Sequence, residues 1–403
     1  MMLIIKQGMR DMPNSIWLYR LYDVAEEINL NLVEHILADT RSASRVRLYR
    51  FPSQSIYFHN PPVAMVLDQV KVRLGSATFQ GHFSGKVYAL GVISLILKID
   101  LPAEDYESIK ELAFLLEAQE KTKTDGDSDY VNEITAPVFS SIHDSSHYSS
   151  GQLSKVEDGQ VEALFFNQIG SVCEILAPAL IKPSQRFFVE DYTVFFCTAW
   201  QEEWDPLPLL LGEDGPFSPQ LREDTRRYSL SYSPDDLTII TWDSALVYDT
   251  AGSQDIPYLL EFAVCQLLEL RYYDHRLNEE IAKMYDAIEE AQQVTPYRRY
   301  GQYRRIMKQM MELVIDINDI TERIQNSLKV TGDIYYARVY RAALDAFRSK
   351  IWMESLDRKV SLIQQNYSLL NNEIVNERGA LLELAIVLLI ILEFSLTLKT
   401  IPS

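Results

Sequence analysis

A run near the C-terminus, ALLELAIVLLIILEFSLTL, is the strongest constraint on how this chain can fold. It extends from Ala380 to Leu398, and its only charged residues are Glu383 and Glu393. As a helix it is about 28 Å long, close to the ~30 Å hydrocarbon core of a bilayer. A segment this apolar needs lipid or a protein core around it. We therefore expect residues 378–400 to form a transmembrane helix.

The charges around this run fit the same interpretation. Arg378 precedes it and Lys399 follows it, as interfacial cations do at membrane helices. Glu383 and Glu393 lie away from the midpoint and about 80° apart around the helix axis, so one broad face can hold both. The alternative is a buried apolar helix in a soluble bundle.

Several residue pairs in the C-terminal third resemble a known family. They are Glu377-Arg378, Leu382-Glu383, the aliphatic stretch from Ile386 to Ile390, Glu393-Phe394, and the pair Leu277-Asn278. This pattern resembles the YagE family of "required for meiotic nuclear division" proteins, which has Trp where Leu384 stands here. The resemblance implies an inner-membrane protein that assembles into large complexes and supports organelle translation through a ribosome contact.

Heptad spacing of apolar residues dominates the sequence from Asp255 onward and predicts long coiled-coil helices. The first seam runs through Leu260, Ala263, Leu267, Leu270, Leu277, Ile281, Met284 and Ile288. The second runs through Ile306, Met310, Leu313, Ile317, Ile320 and Ile324. The third begins at Tyr340, Leu344, Phe347 and Ile351 and shifts phase to Leu356, Val360, Ile363, Tyr367, Leu370 and Ile374. Short breaks between them favour an antiparallel stack that can also assemble copies of the chain into a homo-oligomer.

Asp274 interrupts the first seam with a carboxylate. A charge in an apolar stripe needs a partner, and we expect Arg271 or an arginine of a facing helix to supply it. This predicts a polar site or a register-setting pair. The alternative is a seam that turns towards solvent at this point.

The remaining sequence predicts an α+β fold, because strand-like and helix-like segments alternate without a repeated βαβ pattern. The predicted organisation is a small α+β domain at 1–120, a polar linker at 121–159, an aromatic-rich α+β domain at 160–252, a helical coiled-coil region at 253–377 and a transmembrane helix at 378–400. Three cysteines without paired spacing indicate a reducing compartment. Since no secretory signal is evident, we expect a tail-anchored protein whose bulk stays on the cytoplasmic or matrix-like side.

Charge is distributed unevenly along the chain. The net charge of −19 argues against a sequence-specific nucleic-acid binder, yet residues 297–359 carry 13 Lys and Arg against 8 Asp and Glu. A basic helical region close to a membrane anchor suits anionic lipid headgroups or a ribosome. The candidate contact residues are Arg298, Arg299, Arg304 and Arg305. The alternative is an ordinary solvated helix face.

A second group of charges lies around a predicted strand pair at 237–248. Asp235, Asp236, Asp243 and Asp249 could hold a divalent ion or serve as acid and base, although Asp is also common in turns. No catalytic triad, nucleotide loop or cofactor motif occurs in the sequence. We therefore expect a membrane-anchored oligomeric scaffold without a cofactor, and the alternative is a metal-dependent membrane-associated hydrolase or transferase that uses residues 235–249.

Overall fold

The computed structural model describes residues 14–40, 43–45, 48–51, 54–56, 60–101, 105–121, 133–135, 161–293, 296–327 and 333–400. The chain divides into two compact units. Unit 1 comprises Met1–Glu269 and Asn326–Ser349, and unit 2 comprises Leu270–Gln325 and Lys350–Ser403. Most of the predicted linker at 121–159 lies outside the described residues.

The strands all belong to unit 1. In chain order they are β1 Ser15–Ile28, β2 Ala43–Arg45, β3 Leu48–Phe51, β4 Gln54–Ile56, β5 Val63–Leu74, β6 Ala77–Val87, β7 Val92–Asp100, β8 Glu133–Thr135, β9 Leu180–Cys197, β10 Ser229–Leu230, β11 Asp236–Ile240 and β12 Ser244–Asp249.

Helices cover the sheet of unit 1 and build unit 2. They are α1 Leu30–Thr40, α2 Tyr106–Lys121, α3 Val161–Leu176, α4 Leu207–Leu211, α5 Pro219–Thr225, α6 Asp255–Gln292, α7 Pro296–Ser327, α8 Ile334–Ala346 and α9 Ser349–Thr400. This order confirms the predicted α+β class, with a sheet-containing part followed by a helical region.

The main sheet is mixed and has the strand order β10-β11-β12-β9-β1-β7-β6-β5-β2, with β8 added on β9. The β12–β9 pair is parallel. β1 lies between β7 and β9, and its first eleven residues are all buried. A strand is buried this completely only when both faces of the sheet are covered.

Successive side chains of β1 point to opposite faces of the sheet. On one face, Ile16, Leu18 and Tyr22 join a core that includes α1, α2, α3 and α4. On the other face, the Trp17 ring lies 6.2 Å from the ring of Tyr258 in α6. The ring of Phe347, just after α8, lies 5.3 Å from that of Tyr192 in β9. Unit 1 is therefore a three-layer arrangement of helices, sheet and helices.

Unit 2 contains the second part of α6 together with α7 and most of α9. Their shared core contains Leu270, Leu277 and Met284 of α6, and the predicted seam residues of α7 and α9 join it. Those residues are Ile306, Met310, Leu313, Ile317, Leu356, Val360, Ile363, Leu370 and Ile374. The side chains of Ile320 and Ile324 lie outside the described set.

The relative direction of α6 and α9 in unit 2 follows from their contacts. Asp274 contacts Ser355, and Tyr285 contacts Asn366, so both α6–α9 pairs are 81 positions apart in sequence. A constant offset means that α6 and α9 run parallel. In a stack whose successive helices alternate in direction, the first and third helices run parallel, so this arrangement is compatible with the predicted antiparallel stack of α6, α7 and α9.

The phase shift predicted in the third seam comes from a break between two helices rather than from a slip within one helix. Instead of one helix with a local slip, the chain forms α8 and then α9, with Arg348 between them at φ +53°. The Arg348 N–H donates to the Asp345 carbonyl, which closes the last turn of α8. A residue in the left-handed region ends a helix, so α9 starts in a new phase. Consequently Ile351, predicted in the seam, is exposed.

The predicted transmembrane helix at 378–400 is the C-terminal part of α9. Within the described part of the chain, no helix combines the length and apolarity needed to cross a membrane.

Gly91 occupies a tight turn between two strands. The segment at 86–100 comprises the end of β6, a turn at 88–91 and β7. The Val24 N–H donates to the Gly91 carbonyl at 3.0 Å, so the turn lies against β1. Gly91 has φ +99°, and an added Cβ lies 1.8 Å from the Ala25 oxygen. Only glycine fits here without moving the backbone.

We expect Gly91→Ala to lower the free energy of unfolding by about 2–5 kcal/mol, because the φ strain and the clash with Ala25 add together. Urea unfolding followed by circular dichroism measures the change. Gly215→Ala is the matched control, since an added Cβ there has nothing within 4 Å. The control is expected to change the free energy of unfolding by less than about 0.5 kcal/mol. Equal effects of the two substitutions would contradict this explanation.

Candidate functional site

A buried ion pair lies between the sheet and α6 in unit 1. The Lys86 Nζ of β6 lies 2.5 Å from the Glu261 Oε2 of α6, and the two side chains are 6% and 0% exposed. Lys86 also lies 3.6 Å from the centroid of the Tyr258 ring. Burial lowers the pKa of Lys86, and the charge of Glu261 opposes that shift. The pair is isolated from water and joins two elements that are far apart in sequence.

Lys98 of β7 extends this polar cluster towards the protein surface. Its Nζ lies 3.5 Å from the centroid of the Trp17 ring and donates to the Gln254 Oε1 at 3.2 Å. Burial, and then the charge of Lys86, lower the pKa of Lys98 to about 8. An amine with this pKa is partly neutral near physiological pH and is a better nucleophile than an ordinary surface lysine. This is the most strongly perturbed partly exposed amine among the described residues.

This cluster was not among the predicted sites. Lys86 and Glu261 are 175 positions apart, and no local pattern connects them. A run of uncharged residues follows each of them, VYALGVISLIL after Lys86 and FAVCQLL after Glu261, and this setting was the available signal. A charge buried in a core element needs a partner of opposite sign.

Asp274 does have a cationic partner, but it is a lysine. The Lys359 Nζ of α9 lies 2.6 Å from the Asp274 Oδ1, and the Ser355 hydroxyl donates to the same oxygen at 2.7 Å. The guanidinium of Arg271 lies 5.6 Å from the centroid of the Trp352 ring. The Asp274–Lys359 pair joins α6 and α9 at one level, and its register-setting role stays a prediction.

The acidic residues at 235–249 serve the turns at both ends of the β11–β12 hairpin. Asp243 accepts from the Thr241 hydroxyl at 3.0 Å, and Asp249 accepts from the Ala251 N–H at 2.7 Å. Asp236 accepts from the Tyr232 N–H at 2.7 Å. Among the described residues, no group of three or more His, Cys, Asp or Glu side chains is placed to hold a metal ion.

The predicted basic residues lie in the first three turns of α7. Arg298, Arg304 and Arg305 are exposed, whereas Arg299 is partly buried. The Arg299 Nε donates to the Ala291 carbonyl at 3.1 Å, so it caps the C-terminus of α6. At 100° per residue, the three exposed arginines fall within an arc of about 120°, opposite the side of α7 that faces the core. Lys308, which is also exposed, lies in the same arc.

The end of unit 2 from which α9 continues lies next to these residues. Since the offset between α6 and α9 is 81, the last residue of α6, Gln292, is level with Glu373. Ile374 is the last α9 residue in the bundle core. Every later α9 side chain that the structure describes is exposed, including the predicted Glu383 and Glu393. The side chain of Arg378 lies outside the described set. The part of α9 after Ile374 thus continues beyond the α6–α7 hairpin.

These features define a class of protein: an α+β unit, built on a mixed sheet with helices on both faces, that carries a helical bundle with an apolar extension. Residues 13–255 match the family described as "Uncharacterized protein MJ0711, N-terminal domain", and the chain belongs to that family. The matched region ends where α6 begins, so it covers the sheet and its first helical layer.

A curated relative agrees with this assignment. The protein named "Uncharacterized protein MJ0711" from Methanocaldococcus jannaschii is 27% identical over 176 residues, which are 43% of this chain and 52% of the relative. The chain thus spans about half the length of this relative. No solved structure matches the chain.

The family match corrects the resemblance to the YagE family, which is wrong. That resemblance depended on a few dipeptides around an aliphatic run. Such dipeptides also occur by chance in other apolar helices that contain two acidic residues. The organelle translation role depended on that resemblance.

We expect Lys86→Met to lower the free energy of unfolding by about 3–5 kcal/mol, because it leaves the Glu261 carboxylate buried without a cation. The double variant Lys86→Met/Glu261→Leu is expected to recover most of that loss in urea unfolding. Lys283→Met is the control, since Lys283 bonds Glu280 at the surface. Removing an exposed pair of this kind should change stability by no more than about 0.5 kcal/mol. A double variant no more stable than the single one would show that the unpaired charge is not the cause.

Lys98 should make stability rise with pH. Its pKa is about 8 in the folded protein and 10.5 ordinarily, so between these values the unfolded chain binds more protons. The free energy of unfolding therefore increases with pH across this window. Lys98→Met removes this contribution, so the stability of the wild type minus that of the variant should be larger at pH 9.5 than at pH 7.5. A difference that does not change with pH would contradict the lowered pKa.

Proposed function

We propose that this protein is a scaffold, or tether, held at a lipid bilayer by the C-terminal part of α9. In this proposal the apolar end of α9 enters the hydrocarbon layer, and the two folded units remain on one side of it. The observation that carries the proposal is the exposure of a long aliphatic run on α9, beyond Ile374, the last α9 residue in the bundle core.

The run is dense in large aliphatic side chains. Each of the following is between 50% and 65% exposed: Leu382, Ile386, Val387, Leu388, Leu389, Ile390, Ile391 and Leu392. Seven consecutive positions, 386–392, cover almost two full turns, so aliphatic groups point in every direction around the axis. A coiled-coil partner covers a stripe of two or three positions in seven. Lipid surrounds a helix on all sides and covers the whole circumference.

Burial of these side chains in lipid is also energetically favourable. Full burial of one such side chain is worth about 1.5–3 kcal/mol, so burying seven half-exposed side chains gains on the order of 10 kcal/mol. Exposed clusters of large aliphatic side chains commonly mark sites of interaction with membranes or other proteins. The position of the run, beyond the level of Glu373, leaves it clear of the α6–α7 hairpin.

Flotation with vesicles of neutral phosphatidylcholine tests this proposal on the full-length chain. We expect the protein to float with the vesicles and to stay bound in high salt, because apolar insertion is not screened. Leu388→Asp/Leu389→Asp should reduce partitioning at least about 100-fold, since a central carboxylate strongly opposes insertion.

Leu369→Asp is the matched control, because Leu369 is 67% exposed on the part of α9 that runs beside α6. It should bind vesicles like the wild type. If the full-length chain stays in the lipid-free fraction, the proposal is wrong. Oligomers that Leu388→Asp/Leu389→Asp dissociates, without any vesicle binding, would mean that other copies of the chain cover the run.

A further inference from the structure

A basic face at the start of α7 adjoins the apolar extension of α9. Basic face here means Arg298, Arg304, Arg305 and Lys308, which share one exposed side of the helix. α7 begins at Pro296, immediately after α6 ends, so its first turn is at the end of the bundle where α9 leaves its partners. The bundle therefore places positive charge and the root of the apolar run at the same end.

Distances along the helix axes show which of these charges lies nearest to the headgroups. At 1.5 Å per residue, Leu382 lies about 13 Å beyond Glu373, and Arg298 lies about 3 Å on the other side of that level. Arg305 lies about 14 Å back from the start of α7. If the run enters hydrocarbon near Leu382, the headgroup layer lies between it and the bundle. Arg298 is then within one Debye length of the headgroups, and Arg305 is near the limit of that range.

We propose that this end of unit 2 binds anionic phospholipid headgroups through the basic face, while α9 inserts beside it. This inference rests on the proposed function, because the headgroups reach the basic face only when α9 is in the bilayer. Arginine suits the role, since its planar guanidinium pairs with phosphate in a bidentate way. Arg299 is not part of the contact, because it caps α6.

Acidic residues at the same level act against this contact. The last turns of α6 carry Asp286, Glu289 and Glu290, all exposed, and Glu373 of α9 is exposed as well. They occupy other helices of the bundle, so the headgroup contact belongs to the α7 side. Removing their negative charge should therefore strengthen binding to anionic vesicles, whereas removing the positive charge of the basic face should weaken it.

The experiment compares flotation of the full-length chain with vesicles of phosphatidylcholine alone and with vesicles that also contain phosphatidylserine. Wild-type protein should partition at least about fivefold more strongly into the anionic vesicles, and raising the salt to ~0.5 M should abolish the difference. Arg298→Glu/Arg305→Glu should remove the preference and leave binding to neutral vesicles unchanged. Arg298→Glu alone should have a larger effect than Arg305→Glu alone.

Two further variants serve as controls. Lys350→Glu/Arg358→Glu makes the same charge change on exposed residues of α9 that lie about 20–35 Å back from Glu373, and it should keep the anionic preference. Glu289→Gln/Glu290→Gln should increase binding to anionic vesicles.

The outcomes separate the two proposals. Equal binding of the wild type to neutral and anionic vesicles would overturn the headgroup contact and leave the membrane tether standing. No binding to either vesicle would overturn both. Binding of an RNA probe that Arg298→Glu/Arg305→Glu abolishes, with vesicle preference unchanged, would assign the basic face to nucleic acid instead.

Discussion

Burial of β1 on both faces is the constraint on which unit 1 depends. β1 pairs with β7 from Ser15 to Asp23 and with β9 along most of its length, so it joins strands from before and after the 121–159 stretch. Because both faces are covered, its one buried arginine needs partners within the protein. Arg20 has them in Glu162, with Nη1 2.5 Å from its Oε2, and in Asp191, with Nε 3.2 Å from its Oδ1. A central strand buried on both sides must satisfy every polar group locally.

The features that could be predicted from sequence are those that depend on neighbouring residues. Heptad spacing predicted α6 and α7 correctly, because a helix places residues three and four apart on one side. The parallel arrangement of α6 and α9 is compatible with the predicted stack, because they are its first and third long helices. The end of α8 was missed, because the left-handed residue that ends it is Arg348, which carries no sequence signature such as glycine.

The candidate sites likewise divide into features that neighbouring residues reveal and features that depend on long-range packing. Asp274 was recognisable because it interrupts an apolar stripe, and physical reasoning correctly required a cation beside it. The identity of that cation was not predictable, since Lys359 reaches Asp274 only through the packing of α9 on α6. Lys86 and Glu261 were harder still, because they meet only after the sheet and α6 have packed together. A long-range pair of this kind depends on the tertiary fold rather than on local spacing.

One helix connects the bundle core to the apolar extension without a break. α9 runs from Ser349 to Thr400, so the position of its end is set by the contacts that hold its first half against α6 and α7. The Asp274–Lys359 pair and the core residues up to Ile374 fix its rotation and its level. The arginines of α7 lie at the end of the bundle from which the extension starts, because the same packing aligns the end of α6 with Glu373. The packing of the bundle thus determines where the basic face of α7 lies relative to the apolar extension of α9.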